Sequence, residues 1–264
     1  MALLSTSPHP LPPNQPPPGY AWEERDMSVL STTTAFNTRI DQRDTFLGEP
    51  RCIICGSANP LVLQHCQIIR ELEPETWSDL KARGWIPLQN KAHPRHEPRN
   101  GLLMCSNHHL LFDGYAFFIR FLPDVRKFVL VNYSNEPTLQ QFHGKAIALD
   151  IRDRYAPFAS LFILHEMRVR GFNPFEPIEP AIPDDGPWQD WILSDSVFDN
   201  ASGSFKRDSL PDNRNNGNNG FSGQSQLQFL PTTTSTGDAS SGGRRVTMNA
   251  DVIAEILAAT RAMP

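Results

Sequence analysis

Long apolar runs are missing from this chain. None approaches the roughly 18–20 residues of a membrane-spanning helix, so no membrane partner is expected. The first twenty residues lack a charged start followed by an apolar stretch, so no secretory signal is read and an intracellular protein is expected. Basic charge is not in excess either. The formal net charge is −5, which excludes a globally basic nucleic-acid-binding character but leaves local basic regions open. No concentrated basic run marks a nuclear import signal, and Arg244-Arg245 is too short for one, so nuclear and cytoplasmic locations both stay open. Cysteine is scarce. There are four, Cys52, Cys55, Cys66 and Cys105, and none lies in either terminal region. In a reducing compartment such clustered cysteines read as metal ligands before they read as disulfides.

The 264 residues cannot all be packed. Seven prolines fall in the first twenty residues, and little apolar periodicity accompanies them. Such a composition cannot bury enough surface to offset chain entropy, so residues 1–45 are expected to form a disordered Pro-rich arm. Residues 46–135 carry the dense pattern of a domain, and residues 136–180 read as its helical extension. Residues 181–245 are first acidic and Pro-rich, then rich in Asn, Ser and Gly, and are expected to be a disordered linker. Residues 246–264 suit a short amphipathic helix capped by Asn249, with Val252, Ile253, Ile256 and Leu257 on one side.

Within the domain the expected order is strand, helix, loop, strand, helix, strand, strand. The apolar run 61–69 has strand length. Pro74 and Glu75 start a helix that carries Trp77 and Leu80 on one face, and Gly84 stops it. Residues 102–105 form a short buried strand, and Ser106 opens a helix bearing His108, His109 and Phe112. Residues 116–122 and 127–133 make a hairpin. A further helix is expected over residues 156–170, where His165-Glu166 lacks the second His of a zincin and reads as helix surface.

Two half-sites then stand out. Cys52-x-x-Cys55 and Cys105-x-x-His108 have the internal spacing of tetrahedral zinc. Together they give a Cys3His site that staples a loop of about fifty residues and leaves no coordination position open. The role expected for Zn2+ is therefore structural.

What remains is Asn100 and His109 on one side and His65-Cys66-Gln67-Ile68-Ile69 on the other. The order of C-x-x-C, a strand ending in Ile68-Ile69, and Asn100-Gly-Leu-Leu-x-Cys105-x-x-His108-His109-x-x-Phe112-Asp113 resembles the HNH endonucleases, and most of all the fungal HNH-domain proteins. The resemblance spans about residues 50–133. It implies an α+β fold: a ββα-metal finger with a structural zinc, an added β-hairpin and a C-terminal helix, between long disordered tails. It also implies divalent-metal-dependent hydrolysis of phosphodiester bonds, in DNA first, with RNA as the second candidate substrate. By the same resemblance Asn100 is the residue that orients the base, and His109 is the ligand of a catalytic Mg2+ or Mn2+.

The chain departs from the family at the base. Gln67 stands where such proteins have the general-base His, and an amide has no basic proton acceptor near neutral pH. His65 lies two residues away on the same strand face, as a substitute base or as a core histidine. Cys66 points to the opposite face and is expected to pack. Arg70, Arg95 and Arg99 fall between the two halves of the motif, where phosphate contacts are needed. Residues 46–133 hold ten Lys/Arg against eight Asp/Glu, so the domain is mildly positive although the chain is not. Two other classes stay open: a degenerate HNH domain that binds nucleic acid or metal without cutting, and a zinc-stapled protein-interaction module that docks through residues 185–200 or 246–262.

Overall fold

The computed structural model describes residues 16–20, 35–174 and 182–208. The expectations for residues 1–15, 21–34 and 209–245, and for a helix over 246–264, lie outside the described residues.

In chain order the elements are helix α1 (Ala35–Arg43), strands β1 (Thr45–Phe46) and β2 (Glu49–Pro50), strand β3 (Leu63–Gln67), helix α2 (Pro74–Ala82), strand β4 (Gly101–Cys105) and helix α3 (Ser106–Asp113). Then follow strands β5 (Phe117–Leu122) and β6 (Lys127–Asn132), helix α4 (Ala159–Phe172), helix α5 (Asp190–Ser194) and strands β7 (Phe198–Asp199) and β8 (Ser204–Phe205). Each sheet among the described residues is a single antiparallel pair. The fold is thus a mixture of helices and small sheets, and β3 to β6 follow the order expected from the sequence.

The centre is the β3–β4 pair with α3 leading directly out of β4. Its register sets Leu63 opposite Cys105, His65 opposite Leu103 and Gln67 opposite Gly101. Strand β4 is buried along its whole length. Helix α2 forms as its sequence signals require, with Pro74 at its start, Trp77 and Leu80 buried, and Gly84 in the left-handed region at φ 71°. The β5–β6 hairpin runs from Phe117 opposite Asn132 to Leu122 opposite Lys127 and packs against α4.

Two expected tails are partly built into the fold. Residues 35–45 belong to the domain rather than to a disordered arm. Arg43 and Asp44 form a buried ion pair, and Arg43 donates to the carbonyls of Gly101 and Tyr155, both at 2.9 Å. The Asp44 carboxylate accepts from the Leu103 amide at 3.1 Å. A buried charge needs this completeness of partners, and short local periodicity does not reveal it. A Cβ at Gly101 would lie 2.2 Å from Ile40 Cδ1 of α1, so that side chain would have to shift.

Residues 182–208 are likewise ordered. Trp188, Trp191 and Phe198 pack with Phe46, Ala148, Ile192, Val197 and Phe205 in a second apolar cluster. Ala146 is bridged to Pro187 and Gln189 by backbone hydrogen bonds of 2.7 and 3.0 Å. The aromatic residues that suggested a docking motif in 185–200 are used inside the chain.

The His165-Glu166 pair is also not helix surface. Glu166 pairs with Arg120 and Arg170. His165 is buried and stacks flat on Phe112 at 3.7 Å, because α4 lies over the C-terminal end of α3. Burial pushes its imidazole pKa down to about 3, opposed by its hydrogen bond to the Phe112 carbonyl. The folded value lies below the unfolded one of about 6.5, so the unfolded chain binds the extra proton first. Stability from this residue is complete above that unfolded value and is lost as pH falls toward 3. The expected loss is about 2 kcal/mol between pH 7 and pH 5. Urea denaturation at the two pH values should show it, and His165→Phe should remove that share of the acid sensitivity. An unchanged slope in the variant would count against a neutral buried imidazole.

Candidate metal centre and facing cluster

The first group forms around the N-terminus of α3. Residues 52–57 make a tight knuckle in which the Gly56 amide donates to the Cys52 carbonyl and the Cys52 amide to the Ser57 carbonyl, each at 2.9 Å. Gly56 sits at φ 74°, and a Cβ there would lie 2.5 Å from Trp191. This turn aims Cys52 and Cys55 the same way. Cys105 ends β4, and His108 lies one turn into α3.

All four ligand atoms fall within 4.8 Å of one another. Cys55 Sγ is 3.9 Å from Cys105 Sγ, and His108 Nδ1 is 3.6 Å from Cys52 Sγ and 3.1 Å from Cys105 Sγ. Around one tetrahedral zinc, thiolate pairs stand about 3.8 Å apart and thiolate–imidazole pairs about 3.5 Å. Two of the three separations fit closely, and the Cys105–His108 contact is shorter. The donors therefore suit a tetrahedral cation of zinc's size. Their protons are already unevenly shared. Hydrogen bonds from Cys52 and Cys55 hold the Cys105 thiol far below the usual range, whereas burial pushes Cys52 well above it. Burial works against a charged His108, but Cys105 and Cys55 raise it to about 9.

The second group uses the other side of the same helix. His109 follows His108 by about 100° around the axis and faces β3. Its Nδ1 lies 2.7 Å from Gln64 Oε1, and its Nε2 lies 3.5 Å from Asp113 Oδ2. Cys66, His109 and Asp113 offer ligand atoms within 4.8 Å of one another. Gln64 and Cys66 are two residues apart, so they share the strand face toward α3. Cys66 thus sits at the cluster rather than behind it. It is fully buried, and burial first, then the Asp113 charge, pushes its thiol well above the usual range.

The remaining residues singled out in the sequence are placed as follows. His65 lies on the opposite strand face, with Nε2 2.7 Å from Asp41 Oδ1 of α1. Gln67, where β3 ends, lines a small cleft with Arg70, Asp113, Tyr115, His165 and Arg168. Asn100 is fully buried and does not touch the His109 cluster. Its side chain donates to the carbonyls of Ile69 (2.8 Å) and Pro94 (3.2 Å) and accepts from the Ile69 amide at 2.8 Å. It therefore clamps the backbone two residues beyond Gln67.

Arg70 is exposed at the cleft, donating to the Asp113 carbonyl at 3.0 Å. Arg95 is exposed and paired with Glu71 at 2.7 Å. Arg99 corrects the expectation of a phosphate contact. It is 2 % exposed, donates to the Arg154 carbonyl at 2.9 Å and lies over the Phe158 ring, so its charge is used inside the fold. Sequence reasoning missed Gln64, Cys66 and Asp113 as one cluster. The i,i+4 spacing of His109 and Asp113 was the signal for half of it.

Two antiparallel strands and one helix, with metal-competent side chains on both flanks of the helix, define a ββα finger. Residues 52–120 match the family model of the HNH endonucleases. No curated protein and no solved structure matches the chain. No helix among the described residues is long and apolar enough to cross a membrane.

Proposed function

We propose that this protein is an HNH-type endonuclease that hydrolyses phosphodiester bonds in DNA with a divalent cation at His109. Cys52, Cys55, Cys105 and His108 hold a structural zinc. The observation that carries the reading is the division of labour on α3. Within the segment that matches the HNH family, His108 turns toward the cysteines and His109 toward β3. His109 would hold the cation against a phosphate oxygen, where a metal stabilises the charge that builds on the leaving oxygen. Arg70 borders the cleft beside Gln67 and suits the phosphate backbone, whereas Arg168 there is paired with Glu73. Asn100 acts by holding the chain at Ile69, so the end of β3 keeps its place beside Asp113.

The test is plasmid nicking by the full chain with Mg2+, Mn2+ or Zn2+. Nicking by the wild type and its loss in His109→Ala, with the thermal transition retained, is the expected pair of results. Equal nicking by both proteins would sink the assignment of His109. A second reading, a domain that binds nucleic acid without cutting it, is favoured by Gln67. It gains if the wild type retards DNA in a gel and leaves it intact.

A further inference from the structure

The metal implied for an HNH site is a hard cation held by imidazole and oxygen. The cluster around His109 has a different donor set. A thiol from Cys66, an imidazole from His109 and a carboxylate from Asp113 converge within 4.8 Å. We infer that these three side chains form a second metal site, built for Zn2+ or Co2+ rather than Mg2+, with one position open to solvent. The site is the one proposed above for His109, but its existence does not depend on cleavage.

Four observations support it. First, the donors differ in kind. Thiolate and imidazole select borderline and soft cations, whereas Mg2+ requires a near-octahedral shell of oxygens. Second, the imidazole is already oriented as a ligand. Gln64 Oε1 can only accept, so at 2.7 Å it fixes the proton on His109 Nδ1 and leaves the Nε2 lone pair facing Asp113, 3.5 Å away. A hydrogen bond to the far ring nitrogen is the usual support of a metal-bound His. Third, the burial is graded. Cys66 is fully buried, His109 is 25 % and Asp113 47 % exposed at the side chain. A cation there would be anchored from the strand and open on the solvent side. Fourth, three protein ligands plus one open position is the arrangement of catalytic zinc sites, whereas the four-ligand staple across the same helix is closed. The two sites share α3 but no ligand.

The experiment is a Co2+ titration of the full chain, stripped of metal under reducing conditions. The wild type should take two equivalents per chain, each adding sulfur-to-cobalt charge-transfer absorption. Cys66→Ala should take one, with the spectrum of the three-thiolate staple retained. Cys66 is buried, so a second variant guards against a folding defect. Gln64→Ala removes only the outer partner of His109 from an exposed position and should weaken the second equivalent about 10–100-fold while leaving the first unchanged. A single equivalent in the wild type overturns the inference, as does a second equivalent that Cys66→Ala and Gln64→Ala bind unchanged. Plasmid nicking is scored separately. A single cobalt equivalent in a wild type that nicks DNA with Mg2+ would overturn this site and leave the nuclease assignment standing. Two cobalt equivalents in a chain that never nicks DNA would do the reverse.

Discussion

If the Cys3His group holds the zinc proposed for it, removing that metal is expected to unfold the domain. The Cys3His group joins the knuckle at residues 52–57, which precedes β3, to the start of α3, and α3 supplies both His108 and His109. Without a cation, three cysteine side chains and one imidazole crowd within 4.8 Å, with Cys105 favouring a thiolate that buried Cys52 resists. Structural zinc contributes about 10–16 kcal/mol of apparent binding free energy in small metal-folded units. The net stability of a whole domain is only about 5–15 kcal/mol. The metal's contribution is therefore as large as the whole net stability of a domain. A strong chelator should abolish the cooperative thermal transition, and re-adding Zn2+ should restore it. Cys52→Ala and Cys105→Ala should not fold even with zinc present. A chelated chain that keeps its melting temperature would show that Trp77, Trp85, Phe117 and the rest of the central core suffice without the staple.

Gln67→His is expected to raise the nicking rate about 10²–10⁴-fold, the usual worth of a general base. The argument is chemical first. Gln can hold a water but cannot take its proton, whereas an imidazole titrates close to neutral pH. It is geometric second. Gln67 lines a small cleft at the end of β3 with Asp113, Arg70 and Arg168. His65 does not line that cleft, because it faces Asp41 across the other side of β3. The gain should show a bell-shaped pH profile with a new basic limb, absent in the wild type. No gain in Gln67→His, with its fold intact by thermal melting, would remove position 67 from the reaction. A wild type as fast as the variant would point to activation of water by other groups, for which the open position at Cys66, His109 and Asp113 is the first place to look.

Much of the domain was legible in the sequence because its signals are local. Cys-x-x-Cys, Cys-x-x-His, the Pro74 start and Gly84 stop of α2, and the alternation in β5 and β6 each lie within a few residues. The helix over residues 156–170 and the observed α4 differ only at their ends. The grouping of Cys52, Cys55, Cys105 and His108 followed from spacing alone, because two adjacent pairs of ligands leave few ways to surround one ion. The family likeness followed from the run between Asn100 and Asp113, where residue types and intervals both fit, and the match over residues 52–120 includes it.

Other features depended on which chain segment lies against which. Strand alternation gives two faces, but sequence does not say which face meets α3. That choice put Gln64 and Cys66 beside His109 and turned His65 toward Asp41. Arg99 reads like any loop cation until α4 and the turn before it cover it, and His165 reads like helix surface until Phe112 stacks on it. Residues 35–45 and 182–208 have the composition of tails, and their order comes from distant partners, such as Gly101 for Arg43 and Ile54 for Trp191. The sequence determined which residues can bind metal, because residue type and short spacing suffice for that, and the resemblance to the HNH endonucleases marks Gln67 as the position of the expected base. Only the tertiary structure decided that the helix serves two metal-competent groups, and that the second contains a thiol, because those contacts join strands and helices about forty residues apart.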